Sequence, residues 1–230
     1  MNDARGGISV GMKLGFARLR GVSAPLSVVL ACGAVFALSV LGRRAEPAGA
    51  LDDLLAVPVF GLALPVLAYL VSERVCGGQR LDRGVDSVAR HGADRRAAVL
   101  GLLLASAVST ALIAVLLTLT AVFTAHGAGS LLFDLRSSIG IALLGGAVYA
   151  LWFGAASLLG KRGGGRKWAL IADFILGAGN SALAAPCPRS HVRNLLGGEP
   201  VLEISQAHAW LALLAIGVVC VMLSATRTPE

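Results

Sequence analysis

Acidic and aromatic side chains are scarce in this chain. Of its 230 residues 14% are charged, with 13 acids against 20 lysines and arginines, and 5% are aromatic. So few charges cannot cover a soluble globule of this size, while 56% of the residues are hydrophobic and mean hydropathy is +0.78. That balance makes a bilayer the main solvent. Of the four cysteines no two have metal-ligand spacing, and the four histidines are scattered over loops and a span end. Cys32 and Cys220 fall within apolar runs, while Cys76 and Cys187 fall in loops expected on opposite sides of the membrane. No disulfide joins the two loop thiols on that arrangement. Nor is any basic cluster interleaved with aromatics, so a nucleic-acid partner is not expected. The +7 charge is that of loops facing anionic lipid. A phosphate-binding loop of the form GxxxxGK[ST] is also missing, since Gly160-Lys161 is followed by Arg162. The chain is expected to bind no metal or cofactor of its own.

What the chain has in quantity is long apolar runs. About 20 apolar residues cross a hydrocarbon core of about 30 Å. Gly21 to Gly42, Leu54 to Ser72, Ala97 to Phe133 and Ser137 to Gly160 carry no charge; Trp168 to Pro188 is broken once, by Asp173; and Ile204 to Thr226 holds only His208. These runs predict an all-α membrane protein forming one transmembrane domain over residues 1–230. Its six spans would lie near 21–42, 54–72, 97–124, 137–160, 168–186 and 205–225. The first run is about twice as long as a signal-peptide core. It reads as a retained anchor despite the small-residue site Pro47-Ala48-Gly49-Ala50 that follows it.

Lysine and arginine set the orientation. With six spans the termini share a side with the loops after the second and fourth spans. Fifteen of the twenty basic residues fall there; Arg43, Arg44, Arg136, Arg189 and Arg193 do not. Both termini are therefore expected in the cytosol. The alanine-, glycine- and arginine-rich usage points to a bacterial inner membrane.

Within the spans a few residues stand out. Asp52 and Asp53 suit the N-terminus of the second span, which Pro58 and Pro65 would bend. The fourth carries Ser138, Ala142, Gly146, Ala150 and Gly154, a small residue at every fourth position. Such a stripe lets another backbone approach closely, within the monomer or across a subunit interface. Asp173 and Asn180 in the fifth span are candidates for a translocation path, because an intramembrane acid is costly unless it has work to do. Asp173 also lies near enough to Lys167 to pair or snorkel instead. After it, Pro188 can open a short interfacial or re-entrant helix ending at Gly197-Gly198, and Ser205 can begin the sixth span.

The polar stretch with most shape of its own is SERVCGGQRLDRGVDSVARHGADRRAAVLG, beginning at Ser72. Leu81, Val85 and Val88 fall on one helical face, with Arg83, Asp86 and Arg90 opposite. Gly77-Gly78 and Gly92 punctuate the two ends. A short amphipathic helix over 80–91 is expected, either resting on headgroups or docking a protein. The mixed signs of its polar face argue for the latter.

Arg80-Leu-Asp-Arg-Gly-Val-Asp-Ser-Val, then Asp94-Arg95-Arg96 after a turn at Gly92, resembles the corresponding segment of permeases of ABC-2-type transporters. Glu73-Arg74 stand where that family ends its second helix, although His91-Gly92-Ala93 replaces the usual proline. Lys13 to Arg20 is similar to the family's elbow helix, and Tyr149 to Lys167 resembles its fourth helix and inner loop. The resemblance implies two permease subunits, identical or related, and a separate cytosolic ATPase binding ATP and Mg. Loop 74–96 would then be the coupling loop. Its residues Leu81, Asp82, Arg83, Gly84, Val85, Asp86, Val88 and Arg90 would seat in the ATPase, and the segment Pro188 to Gly198 would shape an outer gate. An intramembrane enzyme is not expected, because paired acids or a Ser-His pair within spans are missing. The alternative is a membrane scaffold or sensor that docks a cytosolic partner through the 80–91 helix.

Overall fold

The computed structural model describes residues 2–21, 23–45, 50–125 and 131–228, and among them every regular element is helical. The order is α1 (Asn2–Leu19), α2 (Ser23–Ala45), α3 (Ala50–Leu54), a π-helical segment (Leu55–Ala63), α4 (Leu64–Val75), α5 (Asp86–Ala89), α6 (Arg95–Ala125), α7 (Leu131–Ala156), α8 (Gly165–Ile175), α9 (Pro188–Leu195) and α10 (Gln206–Thr226). Residues 47–49 of the small-residue site, and His126, lie outside the described residues.

Among the described residues four helices are long and apolar enough to cross a membrane: Leu51–Val75, Arg95–Ala125, Leu131–Ala156 and Gln206–Thr226. They overlap the second, third, fourth and sixth expected spans, the third of the four helices beginning six residues before 137. The apolar part of α2, Pro25–Leu41, is shorter. The fifth expected span, 168–186, is not one helix. It ends at Ile175, where Gly177, Gly179 and Asn180 follow and Pro186 and Pro188 forbid resumption of the same ladder.

In lipid, apolar surface alone does not drive helices together, so close packing and internal hydrogen bonds must. The 31-residue α6 is the element on which this packing centres, and its start is set by Asp94. That carboxylate accepts from the backbone N–H of Arg96 (2.9 Å) and Ala97 (3.2 Å), a side-chain N-cap. Against it α1 packs with a glycine face. A Cβ on Gly7 would lie 2.7 Å from the Ala97 Cβ, one on Gly11 2.1 Å from the Ala98 carbonyl oxygen, and one on Gly15 2.6 Å from the Ala105 Cβ. The paired numbers rise together, so α1 runs parallel to α6 and in contact with it. The segment Lys13 to Arg20, likened above to an elbow helix, thus closes a helix drawn against the bundle by these glycines.

α7 meets α6 from another side with the predicted small stripe. Ser138, Ala142, Gly146, Ala150 and Gly154 are all buried. A Cβ on Gly146 would come within 2.8 Å of the Ala111 Cα, and one on Gly154 within 2.4 Å of Leu103 Cδ2. This face is therefore used inside the monomer. Elsewhere on α7, Tyr149 and Phe153 are fully buried, and Tyr69 of α4 meets Phe153 edge-on with ring centroids 6.0 Å apart.

The prolines of the second span act differently from a simple bend. Pro58 lacks an N–H, and the ladder widens to π geometry through Leu55–Ala63 before Pro65 opens α4 in the first turn, where its missing donor costs nothing. Gly61 in the widened segment leaves room for α9: a Cβ there would sit 3.3 Å from the Arg189 guanidinium.

The α1–α6 contact is testable. Gly11→Leu should destabilise the protein by at least about 1–3 kcal/mol, the usual cost of overpacking. Gly6→Ala meets nothing within 4 Å and should be neutral or gain up to about 1 kcal/mol. Thermal unfolding in mild detergent reads both, and equal midpoints for the two variants would mean that the contact is not made.

Candidate functional site

The end of α4 poses a specific problem. The last carbonyls of an α-helix run short of intrahelical donors, and here the end of the helix presents those of Ser72, Glu73, Arg74 and Val75. Each one is satisfied. The Gly77 N–H reaches the Arg74 carbonyl and the Gly78 N–H the Glu73 carbonyl, both at 2.8 Å. Both glycines have positive φ (+66° and +70°), the conformation that turns the chain back over a helix end at little cost for this residue. The Ser72 carbonyl receives the Cys76 N–H at 3.1 Å and Arg166 Nη1 at 3.1 Å, and the Val75 carbonyl receives Arg18 Nη1 at 2.6 Å.

The two guanidiniums do more than cap α4. Arg18, near the end of α1, also donates from Nη2 to the Gly84 carbonyl at 2.8 Å. Arg166, in the first turn of α8 and only 2% exposed, donates from Nη2 to the Gln79 carbonyl and from Nε to the Gly163 carbonyl at 3.3 Å. Arginine suits both places, because its planar fork serves several acceptors at once and keeps its charge. Burial pulls the Arg18 guanidinium below the ordinary arginine value. The loop from Cys76 to Asp94 is thereby tied to α1, α4 and α8. A third tie runs to α7: the Leu81 N–H donates to the Ser157 hydroxyl (3.2 Å), which donates onward to the Gly154 carbonyl (2.6 Å).

Apolar contacts complete the seat. Leu81 (1% exposed) and Val85 (0%) pack into a cluster with Val71, Val75, Leu102 and Leu103. The predicted apolar face therefore points into this chain, with Val88 half-buried at its margin. The helix itself is shorter than expected. Residues from Leu81 to Val85 form turns and only Asp86–Ala89 is α-helical, because Gly84 sits with its carbonyl pinned by Arg18 and a Cβ there would meet two carbonyl oxygens at 3.2 Å. Asp82 pairs with Arg80 at 3.0 Å and accepts from the Arg83 N–H at 3.1 Å. Asp86 pairs with Arg95 at the start of α6. What faces outward is Arg83, Ser87, Arg90 and His91, a basic and polar surface on a rigid base. The start of α1 and Thr228 lie at this same end of the bundle, since Gly7 abuts Asp94 and Arg96 Nε donates to the Thr228 carbonyl at 3.3 Å.

The candidate path residues are not brought together. Asp173 is fully buried; one oxygen accepts from the Tyr149 hydroxyl at 3.0 Å and the other from the Arg189 N–H at 3.2 Å. That N–H is one of the orphan donors in the first turn of α9. Asp173 thus caps α9 across a gap in sequence and binds α7, α8 and α9 at one point. Asn180 is exposed, and its side-chain oxygen accepts from Arg193 Nη2 at 2.5 Å. The short helix predicted at Pro188 is present as α9, closed by Gly197 at φ +84°. Ser205 caps α10, as its sequence position implies, by accepting from the His208 N–H at 3.4 Å.

Residue-level reading missed Arg18 and Arg166, which count in sequence only as two of many basic loop residues. It also missed the Gly7, Gly11, Gly15 series, whose four-residue spacing is visible in the sequence. Among the described residues no group of three or more His, Cys, Asp or Glu could hold a metal ion. No protein-family model and no curated protein sequence matches the chain.

Two measurements probe the site. Cys76 is buried, and burial pushes its thiol up while the neighbouring Arg166 and Arg18 charges oppose that, so maleimide should label it slowly. Arg18→Gln should free the loop and accelerate labelling by an order of magnitude or more. If the loop stays seated, loss of the cation raises the thiol further and labelling slows, which would count against bracing by Arg18. For the buried carboxylate, a double-mutant cycle of Tyr149→Phe and Asp173→Ala, read by unfolding midpoints, should give a coupling of about 1–3 kcal/mol; additive effects would contradict a direct bond.

Proposed function

We propose that this chain is the membrane-spanning permease subunit of an ATP-driven ABC-2-type exporter in a bacterial inner membrane. The supporting observation is the loop from Cys76 to Asp94, held by the half-buried Arg18 and the buried Arg166 and seated on α6. Loops that only join helices need no such tethering. A loop that receives a push needs a base that will not yield, and a buried set of carbonyl–guanidinium bonds provides one.

On this reading six segments cross the membrane and both termini are cytosolic, in keeping with the bias of arginine and lysine. The fifth crossing is made in two pieces, α8 and α9, around the Asp173 junction. A cytosolic ATPase binds ATP and Mg and meets the loop through Arg83 and Arg90, and its closure displaces α5 and the adjoining turns. Arg18, Arg166 and Ser157 carry that displacement to α1, α8 and α7 together, so the basic ends of these helices move as one body. A second permease subunit completes the translocation path. The buried stripe on α7 is already occupied by α6, so that subunit must use another face.

Affinity purification of the tagged chain in mild detergent, with mass spectrometry of co-purifying proteins, tests the proposal. The expected outcome is a stoichiometric Walker A-containing ATPase, lost on Arg83→Glu/Arg90→Glu while the unfolding midpoint is retained. Both residues are exposed and make no side-chain ion pair among the described residues, so the variant should fold. Recovery of a different cytosolic protein, lost on the same variant, would instead establish a scaffold or sensor docking its partner through this loop.

A further inference from the structure

Between the C-terminal halves of α7 and α10 and the first turns of α8 runs an open, apolar cleft of about 910 Å³. Trp152 and Ala156 form one wall, Ala172 another, and Ala215 and Val219 a third. One end carries Lys161, just beyond α7, and Arg227, at the C-terminal end of α10. Both are exposed, and neither has an anionic partner among the described residues. The C-terminus of α10 favours a cation at Arg227, but it does not require that Lys161 border the same apolar cleft.

The order of chemistry along the cleft is that of a lipid. From Ala215 to Arg227 α10 rises about 18 Å, close to the depth of one leaflet in a hydrocarbon core of about 30 Å. The aliphatic end matches acyl chains and the cationic end a phosphate. Trp168 is 72% exposed and lines the cleft beside that cationic end, where an indole settles at the headgroup boundary. Charge argues against a second copy as the occupant. A two-fold interface apposes the same patch of both subunits, setting four cations together beside an apolar seam.

We propose that this cleft binds one anionic phospholipid, with its acyl chains along Ala172, Ala215 and Val219 and its phosphate drawn to Lys161 and Arg227. The site does not depend on an ATPase partner, and it stands or falls separately from the transport reading.

Native mass spectrometry of the intact chain tests it, with phosphatidylglycerol and phosphatidylcholine of identical acyl composition added at equal concentration. The wild-type protein should retain one phosphatidylglycerol with a preference of about 30-fold, the effect of two cations near a membrane surface. Lys161→Gln/Arg227→Gln should retain a single lipid and bring the preference close to one. Ala215→Trp, at an exposed position, should reduce occupancy by both lipids. Equal retention of the two lipids by the wild type would overturn the proposal. So would an undiminished preference in the double variant, which would place the anion site elsewhere. A lipid-free dimer that Ala215→Trp dissociates would assign the cleft to a second copy.

Discussion

The last turn of α4 constrains everything around it. Four carbonyls emerge there at the edge of an apolar bundle, where an unpaired backbone group costs far more than it would in water. Three are met locally, by the N–H groups of Cys76, Gly77 and Gly78; the Val75 carbonyl draws Arg18 from α1, and the Ser72 carbonyl takes Arg166 from α8 as a second donor. Those guanidiniums have donors to spare, and they spend them on the carbonyls of Gly84, Gln79 and Gly163. The need to satisfy one helix end thus fixes the path of the following loop, the position of α1 and the start of α8. The same bonds leave Arg83 and Arg90 as the outward groups, because the apolar face formed by Leu81 and Val85 has already been used.

Packing within the bundle follows a second constraint of the lipid environment. Where solvent does not push helices together, backbones must come close enough for dispersion and weak polar contacts to hold them. Small residues supply that proximity on both sides of α6: Gly7, Gly11 and Gly15 from α1, and Gly146 and Gly154 from α7. Ser72 adds a polar link at the same level, sharing a hydrogen bond with Ser106 at 3.2 Å and donating to the Ala150 carbonyl at 3.4 Å. α4, α6 and α7 therefore meet near the point where the arginines act, and displacement of the loop has a continuous route into the bundle.

Much of the architecture was legible in the sequence, and the reasons are physical. Hydrophobic length specifies spans, so Leu51–Val75, Arg95–Ala125, Leu131–Ala156 and Gln206–Thr226 follow from composition alone. Caps are local, so the start of α9 at Pro188, its end at Gly197 and the start of α10 after Ser205 could be read from single residues. The small stripe on α7 was legible as a packing face, but its partner was not, because spacing does not say which helix fills it. Arg18 and Arg166 were least legible of all. Their role depends on carbonyls distant in sequence, and an arginine that braces a helix end looks in sequence like any other loop cation. The periodicity of Leu81, Val85 and Val88 was real, yet it suggested a longer helix than forms, since the tie from Arg18 to Gly84 competes with helical geometry at that point.

The interrupted fifth segment shows the same constraint operating within the bundle. α8 rises only about 16 Å over its 11 residues, roughly half of a hydrocarbon core of about 30 Å. Irregular backbone at such depth is tolerated only where protein satisfies it. Arg193 donates to the carbonyls of Ala178 and Gly179 and to Asn180 Oδ1; the Ser190 hydroxyl reaches the carbonyls of Ala184 and Cys187 at 2.8 Å; and His191 Nε2 donates to the Ala185 carbonyl at 2.7 Å. Three residues of α9 thus meet the polar groups of the segment that precedes it, while Asp173 of α8 caps α9 in return. The dependence is mutual. α9 cannot leave without exposing those carbonyls, and α8 cannot shift without uncapping α9, so the pair and the turn between them constitute a single mechanical unit. Arg166 lies at the foot of that unit and Asp173 near its top, seven residues and about two helical turns apart on α8. A movement imposed at the loop would therefore reach the α9 junction through one short, rigid helix.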